Sequence, residues 1–139
     1  MVQTGSDVFE VIYMVDLKEK AVSLLAEATV SFGADGQTNL FTVPAGKRCV
    51  LHGALVVAAA DAGATTTMSI GQVGALTDFL GAQTLSNLDA QYDSVWLMPV
   101  PNATPVKVKS YPAGTVIQAD VGSNSGAAGN KVCLFGILY

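Results

Sequence analysis

From residue 29 onward the chain is cut by turn-forming residues about every 8 to 12 positions, the spacing of a β-sandwich or barrel. Between the turns the residues alternate with period two, as a strand with one buried face requires. Thr65-Thr66-Thr67-Met68-Ser69-Ile70 puts Thr66, Met68 and Ile70 on one face and small hydroxyl residues on the other. Residues 115–121 gather Ile117, Ala119 and Val121 and send Gln118 and Asp120 the other way, and Val106-Lys107-Val108-Lys109 predicts a strand with its lysines in solvent. The stretch 122–130, rich in glycine, serine and asparagine, leads into a last strand over 131–139, and the two strands are expected to form a long-looped hairpin. Together these signals predict a mainly β protein: a single antiparallel β-sandwich or jelly-roll-like domain over residues 29–139.

Two corners repeat one device. Val43-Pro44-Ala45-Gly46 and Tyr111-Pro112-Ala113-Gly114 each precede a strand, and proline at the first corner with glycine after it reverses the chain. Equivalent corners in two sheets are expected from the echo.

Residues 1–28 form a separate N-terminal segment, a short helix or an arm. Asp16-Leu17-Lys18-Glu19 has the spacing of a helix cap, and Leu17, Ala21, Leu24, Leu25 and Ala28 fit about three helical turns. Val8-Phe9-Glu10-Val11-Ile12-Tyr13-Met14-Val15 before it and Thr29-Val30-Ser31-Phe32 after it are β-branched and aromatic, so a strand, or an arm that orders on a partner, stays open. A second short helical piece is expected near residues 84–92, where Leu85 and Leu88 stand one turn apart.

Composition enters through the surface. The 139 residues are 50% apolar but only 13% charged, against about 25% in an ordinary soluble protein. A folded monomer of this mass exposes roughly 6,800 Å², so each charged side chain would serve nearly twice its usual area. Much of the surface is then neutral or apolar, which predicts a subunit covered by neighbours, a small Ala-, Gly- and Thr-rich domain being the plainer reading. The last strand points the same way. Cys133, Phe135, Ile137 and Tyr139 lie on one face and Val132, Leu134 and Leu138 on the other, so it is covered twice, by its own core and either by a second subunit or within a central position of the sandwich.

The longest apolar stretch, residues 50–60, is interrupted by His52 and Gly53 and is about half of the ~20 residues a spanning helix needs, so no membrane partner is expected. The first residues lack the basic start and apolar run of a secretory signal, and synthesis in a cytoplasm is expected. A net charge of −4 without clustered lysine or arginine argues against nucleic acid. Cys49 and Cys133 have no close pairing of the zinc-site type and are expected to be reduced and buried.

No constellation of catalytic residues stands out. His52 is the only histidine and reads as an ordinary strand residue, aligned with Arg48, Val50, Ala54 and Val56. Gly122-Ser123-Asn124-Ser125-Gly126 has asparagine where a nucleophile elbow needs its nucleophile. Phosphate loops of a nucleotide hydrolase would need interleaved arginines, and Arg48 is the only one. Asp35-Gly36-Gln37-Thr38-Asn39 clusters oxygen ligands but lacks the full calcium pattern, and a plain Asp-Gly turn is favoured. Trp96, within the apolar run 94–100, reads as core. Neither cofactor nor metal is called for, and no enzymatic role is expected.

The order Phe41-Thr42-Val43-Pro44-Ala45-Gly46, a long Ala/Val strand, Met68-Ser69-Ile70-Gly71, Thr77-Asp78-Phe79-Leu80, Tyr111-Pro112-Ala113-Gly114-Thr115-Val116-Ile117 and a final glycine-looped strand pair resembles the small β-rich virion proteins of tailed bacteriophages, in particular head decoration or cement proteins. The ending Leu134-Phe135-Gly136-Ile137-Leu138-Tyr139 is similar to the last strand of trimeric jelly rolls of the tumour-necrosis-factor kind. The resemblance covers residues 29–139 and rests on turn-and-strand devices. It implies a homotrimer on the virion surface that binds the major capsid protein of an assembled shell, with a receptor-binding module that contacts a host glycan as the alternative. Val8, Phe9, Val11, Ile12 and Tyr13, as a capsid-facing arm, and Phe135, Ile137 and Tyr139 are the expected partner-interface residues.

Overall fold

A computed structural model describes residues 21–99, 107–123 and 126–139. They form nine strands and no helix: β1 (Ser23–Val30), β2 (Gly36–Thr42), β3 (Cys49–Val57), β4 (Thr67–Gln72), β5 (Ala75–Thr84), β6 (Ser94–Leu97), β7 (Ser110–Tyr111), β8 (Val116–Gly122) and β9 (Asn130–Leu138). One sheet runs β1-β9-β3-β6, with the short β7 also on β3, and the other runs β2-β8-β4-β5. All pairings are antiparallel. Apart from the β4–β5 hairpin and the passage from β6 to β7, each connection crosses from one sheet to the other, which is a jelly-roll-like order for a β-sandwich.

The alternation seen in the sequence fills the space between the sheets. Ile117, Ala119 and Val121 on β8 and Met68 and Ile70 on β4 are at most 3% exposed, and from the other sheet Leu51, Ala54, Val56, Val132 and Leu134 meet them at 2% or less. The core therefore lies between two inner faces, with β9 and β8 central in their sheets.

The two Pro-Ala-Gly corners are equivalent and adjacent. Lys47 N–H donates to the Pro44 carbonyl and Thr115 N–H to the Pro112 carbonyl, both at 3.2 Å, with Gly46 at φ 74° and Gly114 at φ 85°. Each is a turn with proline at its first position and glycine in the left-handed third, so the proline stands one residue earlier than the sequence reading placed it. The first corner joins β2 to β3 and the second joins β7 to β8, and they are bonded to each other: Val43 N–H donates to Thr115 O and Gly114 N–H to Val43 O, each at 2.9 Å. Both carry the chain between sheets at the same end of the sandwich.

Four expectations are corrected. Residues 122–130 do not close a hairpin, because β8 and β9 belong to different sheets and the loop between them is an arch across the sandwich. Two backbone bonds of 3.0 Å tie it to Phe32, and the buried Asn130 side chain donates to Ala127 O (2.6 Å) and Val30 O (3.1 Å) and accepts from Ala59 N–H (2.9 Å). The described part of residues 16–28 is strand, not helix: β1 pairs with β9 from Ser23 to Val30, and a bulge between Leu24 and Ala26 produces the doublet that reads as helical spacing. Leu85 and Leu88 are buried but sit in turns and not in a helix, since their backbone groups bond to Thr66 (2.9 Å) and Ala62 (2.7 Å) on neighbouring segments. Lys107, Val108 and Lys109 form no strand, and Val108 is 44% exposed.

Candidate functional site

Residues that alternate with the core line the outer face of the β1-β9-β3-β6 sheet. On β9 these are Cys133, Phe135 and Ile137, each half-buried, and the cross-strand register places Leu24 beside Phe135, Val50 beside Ile137, and Leu55 between Cys133 and Trp96. Exposed apolar side chains concentrate here: Val22 at 46%, Leu24 at 52%, Trp96 at 53% and Met98 at 43%. Trp96 packs tilted on Phe135, ring centres 5.2 Å apart.

The strands also shape a trough in this face. Its volume is about 390 Å³, and Val22, Phe135, His52, Trp96 and Met98 line it, so it crosses the sheet from β1 to the β6 edge. A bulge in β3 makes the room: His52 is the extra residue between Leu51 and Gly53. Regular alternation would have sent His52 to the side of Ala54 and Val56, but the bulge leaves those two in the core and His52 exposed on the outer face. Gly53 completes the shape. A Cβ there would lie 2.8 Å from Met98 Cγ and 2.9 Å from the Leu97 carbonyl, so only glycine lets β6 approach this closely.

Among the described residues, charged side chains on this face stand toward its ends. Lys131 pairs with Glu27 at 2.8 Å at one end, both side chains at least 47% exposed, where an ion pair contributes little. At the other, Arg48 Nε donates to Ser110 Oγ (2.9 Å) and Nη2 to the Ser110 carbonyl (2.9 Å), and Ser110 Oγ shares a 2.6 Å hydrogen bond with the Tyr139 hydroxyl. Among the described residues no carboxylate lines the trough beside His52. A second hollow of about 470 Å³, lined by Gln72, Val73, Ala113, Gly114, Thr115 and Val116, holds no titratable side chain. Among the described residues, no three His, Cys, Asp or Glu side chains gather as metal ligands.

The expected interface residues divide accordingly. Phe135 and Ile137 lie at the centre of the apolar face, while Tyr139 stands at its end, 54% exposed but tied to Ser110. Val8, Phe9, Val11, Ile12 and Tyr13 lie outside the described residues. Trp96 is a correction, for it faces outward and not into the core. The run Ser94-Val95-Trp96-Leu97-Met98 held the signal: a polar Ser94 shares its period-two face with Trp96 and Met98, while Val95 and Leu97 face inward. Asn39, from the stretch weighed for calcium, accepts from Gln118 Nε2 at 2.6 Å across the β2–β8 pair.

Both cysteines are free thiols, but they differ in burial. Cys49 is in the core, where burial pushes its thiol up to about 11. Cys133, expected to be buried, is only half-buried on the outer face, and its thiol is raised by burial and then by the Glu27 carboxylate. In the folded protein at pH of about 8 a thiol reagent should modify Cys133 slowly and Cys49 only on unfolding, since the thiolate is the reactive form. Counting modified thiols by mass spectrometry with and without denaturant checks this; equal native rates would place Cys49 nearer solvent.

Compared with protein families, with curated proteins and with solved structures, the chain gives no match. The fold class that the geometry defines is an antiparallel β-sandwich with one apolar outer sheet face.

Proposed function

We propose that this protein is a virion structural protein of the decoration or cement kind, which binds the outside of an assembled phage capsid as a homotrimer and stabilises the shell without catalysing a reaction. The observation that carries the reading is the outer face of the β1-β9-β3-β6 sheet: Trp96, Phe135, Leu24, Val22 and Met98 form an apolar patch across it. Contiguous apolar surface of this kind marks a face that associates. Covering it releases ~25 cal/mol per Å² before the costs of association are subtracted, so tight binding needs no ion pairs. The capsid and the trimer come from the resemblance of the turn-and-strand order to decoration proteins. A subunit that binds only the assembled shell stabilises it by mass action.

A receptor-binding module is the alternative, and the exposure of Trp96 favours it to a degree, because an indole can stack on a sugar ring. Yet among the described residues His52 is the only polar side chain lining the trough, whereas a glycan's hydroxyls need several convergent hydrogen-bonding groups. The apolar lining suits protein better.

The test is native mass by light scattering, with co-sedimentation on purified capsid shells. Wild type should run as an oligomer and sediment with shells. Trp96→Glu should bind about thirtyfold more weakly, the effect of losing about 2 kcal/mol at an aromatic hot spot, while its melting temperature stays close to wild type. Wild-type protein that remains a single subunit and stays in the supernatant removes the reading.

A further inference from the structure

The trough is concave, and its walls come from β9, β3 and β6, the residue after β6 and the residue that leads into β1. A second copy presenting the same face would set trough against trough and leave the volume unfilled, which a close-packed interface does not tolerate. A short apolar segment fits the shape better.

The chain supplies one beside it. Val22 is both a wall of the trough and the residue before β1, so the backbone arrives over the trough's own rim. Twenty residues, 1–20, precede the described part, and eight of them, Val8-Phe9-Glu10-Val11-Ile12-Tyr13-Met14-Val15, carry a single charge. The intervening Asp16-Leu17-Lys18-Glu19-Lys20-Ala21 is largely charged and suits a solvated connector. Six extended residues reach ~20 Å, and the four strands from β1 to β6 span only ~14 Å, so residues 8–15 can reach any point of the trough. At period two this segment offers Phe9, Val11, Tyr13 and Val15 on one side and Val8, Ile12 and Met14 on the other. One side can fill the trough and leave the other for a partner.

We propose that the segment 8–15 docks back in the outer-face trough of its own chain, against Trp96, Met98, Phe135 and His52. The assignment rests on reading this face as a covered one and names what covers it. It also gives Trp96 a seat that the described residues leave half open.

Trp96 is the chain's only tryptophan, so its fluorescence reports the trough directly in the full-length protein. Wild type should emit as a shielded indole with weak acrylamide quenching. Phe9→Asp with Tyr13→Asp should shift the emission to the red and raise quenching severalfold, with far-UV circular dichroism and melting temperature close to wild type. Nuclear Overhauser contacts between the Trp96 indole and the Val11 or Val15 methyls should appear in wild type and test the docking without any substitution. Shielding that persists on dilution supports the proposal, and shielding lost on dilution overturns it in favour of a neighbouring copy. An indole shielded equally in wild type and double variant, with no such contacts, overturns it in favour of another cover and leaves the decoration reading intact. An indole exposed in wild type at every concentration also overturns it, and the sedimentation assay then decides separately whether shells are bound.

Discussion

Replacing Asp78 with alanine should lower the melting temperature by roughly 10 °C, the consequence of losing about 3 kcal/mol in a domain of this size. Asp78, on β5, is the hub of a polar cluster at the corner end of the sandwich. Its Oδ1 accepts from the Tyr111 hydroxyl (2.8 Å) and the Gln72 N–H (3.2 Å), and its Oδ2 from Gln72 Nε2 (2.7 Å) and Lys109 Nζ (3.0 Å). Tyr111 is fully buried, so removing the carboxylate strands a phenol that cannot turn to water. Burial and the neighbouring carboxylate also hold that phenol neutral, well above its ordinary range. Tyr111→Phe should cost less, about 1 kcal/mol, because three donors to Asp78 remain. An alanine variant that melts within a degree or two of wild type would show that the cluster is incidental.

The same carboxylate sets a pH dependence. Burial pushes Asp78 up, but the hydrogen bonds from Tyr111, Lys109 and Gln72 together outweigh it and hold the group below its ordinary 3.8. A carboxyl depressed in the folded state adds stability in full above its unfolded value and loses it as pH falls through the folded one. The gap in melting temperature between wild type and Asp78→Ala should therefore be constant near neutrality and narrow as pH drops below about 4.

Gly126→Ala should be the second severe change, destabilising by roughly 3 kcal/mol or more. A Cβ at Gly126 would stand 2.3 Å from the Ala62 carbonyl oxygen and 2.7 Å from its carbon, and backbone atoms cannot swing aside as a flexible side chain can. The arch must lift, and the reciprocal bonds with Phe32 are lost with it. Gly81→Ala is the control: an added Cβ meets nothing within 4 Å, and its stability should stay within about 0.5 kcal/mol of wild type. Equilibrium denaturation of the two variants separates a clash from a general intolerance of added methyl groups. Equal stabilities would mean that the arch has slack.

Much of the fold was legible along the chain. Period-two alternation marked β4 and β8, and it did so because a half-buried strand must send every second side chain inward. The two Pro-Ala-Gly corners were legible because a turn's chemistry is local. Bulges were not. Extra residues at Leu25 and His52 shift which side chains face out, and they are fixed by partners on other strands, so Leu24-Leu25 imitated a helix and His52 was aligned with core residues. Pairing was hidden for the same reason: a glycine-rich loop between two strands looks alike whether it closes a hairpin or spans two sheets, and distant residues such as Phe32 and Ala62 decide which.

An apolar surface was foreseen, but its place was not. A shortage of charge is a property of composition, and the two-faced β9 already offered Phe135 and Ile137 for cover. That Trp96, Met98 and Val22 join Phe135 in one trough follows from strand order, which brings β1, β9, β3 and β6 side by side although they are far apart in the chain. The sequence by itself determined the sandwich class, the strand faces without bulges, and the need for an apolar surface, because these follow from local periodicity and composition. Only the tertiary structure decided which strands are neighbours, where the bulges fall and hence which residues line the trough, because backbone hydrogen bonds between distant segments carry no mark in the order of residues.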